Sequence, residues 1–287
     1  MKTISIFNQK GGVGKTTTVV NLAVGLSYLE KEVLVIDMDP QANATTGLGI
    51  NKNKIETSIY DLFYMLDEED ILDKEDNDTE VLEDDQSEKE DISNEEEKTP
   101  DFFDKFIINT NSGVDLLASE NSLSGLEVEL VPLDPIERTK KLKEIIGRID
   151  KKYDYVLIDC PPSLGLLSIN ALVASDSIII PIQTEYYALE GVSELMNTFE
   201  LVKESINPDL YVEGVLLSMF DKRTKLSYEV VEEVKKYFKD RVFMTMIPRN
   251  VRLAEAPSHG KSAVEYEPKS QGAMAYISLA DEIIKND

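Results

Sequence analysis

The chain has 287 residues, 42% of them hydrophobic, and 55 acidic against 30 basic side chains give it a formal net charge of −25. That length fits one large domain or two small ones with a substantial core. A lone cysteine, Cys160, and a lone histidine, His259, exclude a disulfide framework and a Cys- or His-based metal cluster within one chain. On its face the charge argues against nucleic-acid binding, because phosphate contacts need cations. No apolar run reaches the roughly 18 residues of a membrane span, and MKTISIFNQK is not a signal peptide. The expectation is a cytoplasmic protein.

In chain order, Thr3–Phe7 reads as a strand and Thr16–Tyr28 as a helix. Between them stands Asn8-Gln9-Lys10-Gly11-Gly12-Val13-Gly14-Lys15-Thr16-Thr17. The standard phosphate-loop pattern places a glycine where this chain has Gln9, so the plain pattern fails. The physics survives. Gly11, Gly12 and Gly14 permit close backbone approach, so main-chain N–H groups of the loop from Lys10 to Thr17, Val13 included, can surround phosphate oxygens. The helix N-terminus adds its positive dipole end. Lys15 can neutralise β- and γ-phosphates, and the Thr16 hydroxyl can ligate Mg²⁺. From the residues alone, Lys10 is either a solvated loop charge or a second functional cation.

A second strand, Val33–Ile36, ends in Asp37-Met38-Asp39-Pro40-Gln41. Parallel strands turn their carboxyl ends toward the ligand crevice, where paired carboxylates can hold metal-bound water or orient an attacking water. Residues 67–105 then hold 20 acids and four bases, net −16, leaving −9 for the remainder. So acidic a stretch, poor in apolar residues, reads as a disordered insertion. It is either a solvated loop or a module that repels DNA or recruits a basic partner.

Past the insertion, the strand Tyr155–Ile158 ends in Asp159, the Walker B arrangement, in which the carboxylate reaches Mg²⁺ through water. Further strands are read at Ser177–Ile182, Tyr211–Ser218 and Val242–Ile247, and helices at Leu166–Ala174, Glu190–Glu204 and Leu226–Lys239. Val230, Val234 and Phe238 share a face of the last. The terminal GAMAYISLADEIIKND reads as a packed helix with little basic charge. VLVID, YVLID and SIIIPI do not alternate polar with apolar, as in strands covered on both faces. The expected fold is α/β: a doubly wound, mostly parallel sheet flanked by helices, in one P-loop domain spanning 1–287.

KGGVGKTT resembles the deviant Walker A box of the ParA/MinD class of P-loop ATPases, DMDPQANAT its switch I and LIDCPPS its Walker B. PIQTEYYALEG and IPRNVRLAEAPSHGK resemble the chromosomal ParA/Soj branch, and the similarity runs from residue 2 to about 285 outside the acidic stretch. The resemblance implies an ATPase using ATP and Mg²⁺. Lys10 would reach the nucleotide of the partner in an ATP-bound homodimer. Asp39 would position or activate the hydrolytic water, and Asp37 and Asp159 would support the metal through water. Pro248 and Asn250 would approach the adenine. Arg223 and Arg252 would contact nonspecific double-stranded DNA, in a segment, 215–269, whose net charge is +3. A ParB-type partner would stimulate hydrolysis and release a nucleoid-associated dimer. The resemblance departs at Ala42, where the class commonly carries glycine. Cys160 is read as a buried thiol and His259 as a loop residue. With the phosphate loop about ten residues from the start, no helix-turn-helix domain is expected before it. The rival readings are a MinD-like membrane-associated switch and a metabolic P-loop enzyme. Stable membrane association is not expected, because a membrane-binding helix would be basic and amphipathic.

Overall fold

A computed structural model describes residues 1–66, 102–185 and 191–287. Among the described residues seven strands form one sheet: β1 (Lys2–Ile6), β2 (Val33–Asp37), β3 (Ile108–Asn109), β4 (Asp115–Leu117), β5 (Tyr155–Asp159), β6 (Ser177–Gln183) and β7 (Tyr211–Ser218). Their order is β3-β4-β2-β5-β1-β6-β7. Every pairing is parallel except β3 with β4. Among the described residues the helices are α1 (Lys15–Tyr28), α2 (Asn43–Gly47), α3 (59–66), α4 (Leu123–Glu129), α5 (Glu137–Gly147), α6 (Leu166–Ala174), α7 (Val192–Ser205), α8 (Lys225–Phe238), α9 (Val251–Glu255), α10 (Ala263–Tyr266) and α11 (Gln271–Asn286).

The strands are buried on both faces because successive side chains feed two cores. Leu34 and Ile36 of β2 join the core under α3 to α8, whereas Val33 and Val35 join the core under α1, α10 and α11. Val230, Val234 and Phe238 are all buried on the inner face of α8. The doubly wound reading of the sequence therefore holds.

Two expectations need correction or narrowing. Val242–Ile247 is not a strand: it makes an isolated bridge to Val215 and backbone bonds from Phe243 N to Val215 O, Ile247 N to Leu217 O and Phe220 N to Ile247 O. Between those bonds the Met244 and Thr245 amides donate to the Glu282 carboxylate (2.6 and 2.9 Å), so their N–H groups leave the sheet edge. Residues 67–101 lie outside the described residues, but 102–105 do not. They belong to a 3₁₀ turn, Phe102–Phe106, that buries Phe103 and Phe106 in the core. The folded body thus resumes before residue 105.

Candidate nucleotide site and arginine surface

The loops leaving the carboxyl ends of β1, β2, β5, β6 and β7 converge on one edge of the sheet. Gly12 and Gly14 adopt left-handed backbone, φ 76° and 96°, which an L side chain would strain. A Cβ built on Gly11, Gly12 or Gly14 would meet no atom within 4 Å, so the loop opens onto free space. Gly14 caps α1 without any side-chain acceptor. The first N–H groups of α1 therefore remain available to an anion. The Lys15 side chain is buried in this cradle, with Nζ 3.3 Å from the Lys10 carbonyl oxygen. Burial lowers its pKa, opposed by the charges of Asp159, Cys160 and Asp39. Lys10 is exposed, and its ammonium has no ion pair among the described residues.

Asp37 and Asp159 end adjacent strands and face each other in register. Both are fully buried, yet their surroundings differ. Asp37 accepts from the Thr45 amide and hydroxyl at 2.8 Å each and from the Asp39 amide at 3.2 Å. Burial nevertheless pushes its pKa up to about 6. Neither oxygen of Asp159 has a hydrogen-bond partner of good geometry. Burial and the Asp37 charge drive its pKa well above the carboxylate range, with Thr16 and Lys15 offsetting this in part. Buried polar atoms without partners are rare and point to a missing ligand. Asp39 holds the adjoining turn, accepting from the Gln41 amide at 2.9 Å. Its carbonyl accepts from the Ser119 hydroxyl at 2.7 Å. No cluster of three ligating acids, cysteines or histidines occurs among the described residues. The donor set, one hydroxyl beside orphaned carboxylate oxygens, fits a hydrated Mg²⁺ that arrives with phosphates rather than one held in an all-protein cage.

Beside the loop lies a mainly apolar cavity of about 200 Å³ bounded by Gly14, Thr17, Met219, Pro248, Asn250 and Leu253. The structure thus brings Pro248 and Asn250 to the phosphate cradle. The Asn250 side chain also caps α9, accepting from the Arg252 amide at 2.8 Å. Residues the sequence did not single out complete the surroundings. Met219, left-handed at φ 53°, lines the cavity. Asn8 accepts from the Lys10 amide at 2.9 Å and donates to the Pro181 carbonyl at 2.8 Å. The usable signal was position: Gln183 and Ser218 close the carboxyl ends of β6 and β7.

Ala42, in the position where the class commonly has glycine, keeps the glycine-like conformation, φ 54° and ψ 42°. The turn is preserved at a cost of about 1–2 kcal/mol. Cys160 is buried, and burial raises its pKa to about 12, consistent with an inert thiol. His259 sits in the 3₁₀ turn Ala256–His259, stacked on Tyr266 with ring centroids 4.9 Å apart.

Arg223 and Arg252 lie outside the cradle and are exposed. Arg223 forks onto Asp221 at 2.9 and 2.7 Å, holding the Asp221 carboxyl well below its usual range. Arg252 bonds Glu255 at 2.6 Å. A groove of about 290 Å³ on the other side of Pro248 is lined by Lys222, Arg223 and Arg249.

A glycine-cradled helix N-terminus, strand-end carboxylates and an adjoining base-sized cavity define a P-loop nucleotide-binding protein. Residues 1–212 match the AAA domain family. The chain is 48% identical over 285 residues to the sporulation initiation inhibitor protein Soj of Bacillus subtilis, covering 99% of each. It is 44% identical to the chromosome partitioning protein ParA of Myxococcus xanthus, covering 99% of this chain and 88% of that one. Among solved structures it is similar to cobyrinic acid a,c-diamide synthase from Mycobacterium smegmatis with bound ADP and magnesium, with a TM-score of 0.77 and 29% identity over 100% of this chain and 95% of that one. The chain belongs to the Soj/ParA family of chromosome-partitioning ATPases.

Proposed function

We infer that this partitioning ATPase works as an ATP-gated dimer that binds DNA nonspecifically. The observation that carries the reading is the one-edge convergence of an uncapped α1 N-terminus, the buried Lys15, the partnerless Asp159 and the cavity at Pro248 and Asn250. The main-chain groups of Gly11 to Thr17 and the Lys15 ammonium would hold the phosphates of ATP. Mg²⁺ arriving with the triphosphate would supply charge neutralisation at the phosphates. The Thr16 hydroxyl would ligate it, and Asp159 and Asp37 would hold its water shell. Asp39 would orient the attacking water. Catalysis of this kind rests on positioning and electrostatics, so it is slow until the last group is in place.

Lys10 is the residue that extends the reading from monomer to homodimer. It is exposed and unpaired among the described residues, as a cation reaching into a partner's site requires. Arg223 and Arg252 suit nonspecific double-stranded DNA: both are exposed arginines tied, among the described residues, to local carboxylates, which phosphates would displace. Dimerisation would double that surface and overcome the acidic total. A ParB-type partner would stimulate hydrolysis and return the dimer to monomers, giving cycles of nucleoid association. The packing of α11 supports this over a membrane switch, since Ala273, Tyr276, Leu279, Ala280 and Ile283 are buried. Among the described residues no helix is long and apolar enough to cross a membrane.

The test is a DNA mobility shift at controlled salt with ATP, with ADP and without nucleotide. Retardation is expected with ATP alone, weakening steeply with salt. Combined Arg223→Glu and Arg252→Glu substitution should keep the ATP dimer yet lose DNA. Equal retardation in all three nucleotide states would contradict ATP-gated DNA binding.

A further inference from the structure

Two peptide orientations of the phosphate loop, at Gly12 and Val13, are fixed by residues 171 and 205 positions away. The Gln183 side-chain amide donates to the Gly12 carbonyl at 2.6 Å, and the Ser218 hydroxyl donates to the Val13 carbonyl at 2.9 Å. Gln183 and Ser218 are the last register pair of β6 and β7, so the sheet presents the two donors side by side. In a planar trans peptide the C=O and the following N–H point in opposite directions. Tying the Gly12 and Val13 carbonyls to the strand ends therefore turns the Val13 and Gly14 amides away from them. With Gly12 and Gly14 left-handed, successive N–H groups make an anion-binding concavity on the open side of the loop. The second Gln183 N–H donates to the Met219 sulfur at 3.2 Å, and Met219 lines the base-sized cavity. Ser218 is buried, so it has no water to fall back on.

The geometry points to Gln183 and Ser218 as positioning residues that preorganise the phosphate cradle, with Gln183 also joining it to the base cavity. They touch no phosphate themselves. They fix two amides in the orientation that a nucleoside di- or triphosphate needs, so the loop is ordered before the ligand arrives. The inference rests on the nucleotide reading above.

Gln183→Met keeps the length of the side chain and adds no charge but cannot donate. Ser218→Ala removes the other donor, and Ser218→Thr retains it. A fluorescent ADP analogue with Mg²⁺, titrated into the full chain, should bind roughly 3- to 10-fold more weakly to Gln183→Met and to Ser218→Ala. Ser218→Thr should bind within about twofold of wild type, which a simple loss of packing would not give. The KM for ATP should rise by the same factors while kcat stays within about twofold, the mark of lost uniform binding. The nucleotide-induced rise in unfolding midpoint should shrink accordingly. Wild-type affinity in both Gln183→Met and Ser218→Ala would overturn the inference. Absence of binding by the wild-type chain would instead overturn the nucleotide reading beneath it.

Discussion

The two edges of the sheet handle buried charge in opposite ways. At the amino-terminal edge the carboxylates near the strand starts have cationic or hydrogen-bonding partners. Asp115 accepts from Lys151, Tyr153 and Asn109. Lys2 joins Glu213 and Asp287, and Tyr155 donates to Asp287. Asp176 accepts the Thr3 amide at 2.7 Å. At the carboxyl edge, Asp159 is fully buried with no adequate partner, α1 has no cap, and Lys15 is buried against a carbonyl. The first edge is closed chemistry that adds stability. The second is held open at a cost in stability, and an open edge of this composition is where a phosphate and a metal complete the polar account.

Substitutions at the two edges should separate accordingly. The largest effect is expected at Asp39→Ala, which should still bind ATP but hydrolyse it at least about 100-fold more slowly, accumulating as a DNA-bound dimer. Single-turnover hydrolysis and the DNA shift read this together. Asp159→Asn should stabilise the unliganded chain by about 1–3 kcal/mol at pH 7, in urea unfolding, while weakening Mg²⁺-dependent nucleotide binding. Asp115→Ala should do the reverse, lowering stability by about 1–3 kcal/mol and leaving nucleotide affinity unchanged.

The edges should also respond oppositely to pH. Above the unfolded aspartate value of about 3.9, Asp37, up to its own value of about 6, and Asp159, whose pKa is also raised, retain a proton in the folded state that the unfolded chain has lost. Their contribution is fully present below the unfolded value and lost as pH rises through the folded one. Burial raises the Asp115 pKa, but the bonds from Lys151, Asn109 and Tyr153 outweigh it and leave it depressed. Its contribution is present above the unfolded value and lost on acidification. Unfolding free energies from pH 4 to 7 should therefore fall less steeply in Asp159→Asn than in wild type. In Asp115→Asn the loss of stability below pH 4 should be smaller. The smallest effect is expected at Ala42→Gly, which relieves a left-handed alanine and should raise stability by about 1 kcal/mol.

What could be read from the sequence was what is local. The five long strands announce themselves as short runs of β-branched and aliphatic residues, and the loop and its carboxylates stand at strand ends within a few positions of one another. β3 and β4, at two and three residues, are too short to carry a period. Val242–Ile247 has strand composition, but Glu282, on another element, takes its amides. The site was half legible for the same reason. Lys15, Asp37 and Asp159 follow from local pattern, and Pro248 and Asn250 came only through family resemblance. Gln183 and Ser218 stand at strand ends, but their pairing beneath the loop depends on sheet register, which no local window contains.

The central claim is that the open edge is a Mg²⁺-nucleotide site built on Lys15. Titration of a fluorescent ATP analogue into the full chain, with and without Mg²⁺ and against Lys15→Ala, tests it most directly. The expected result is saturable binding of one nucleotide per chain that tightens with Mg²⁺ and disappears in Lys15→Ala. Binding that is absent in wild type, or that is unchanged by Lys15→Ala, would contradict it.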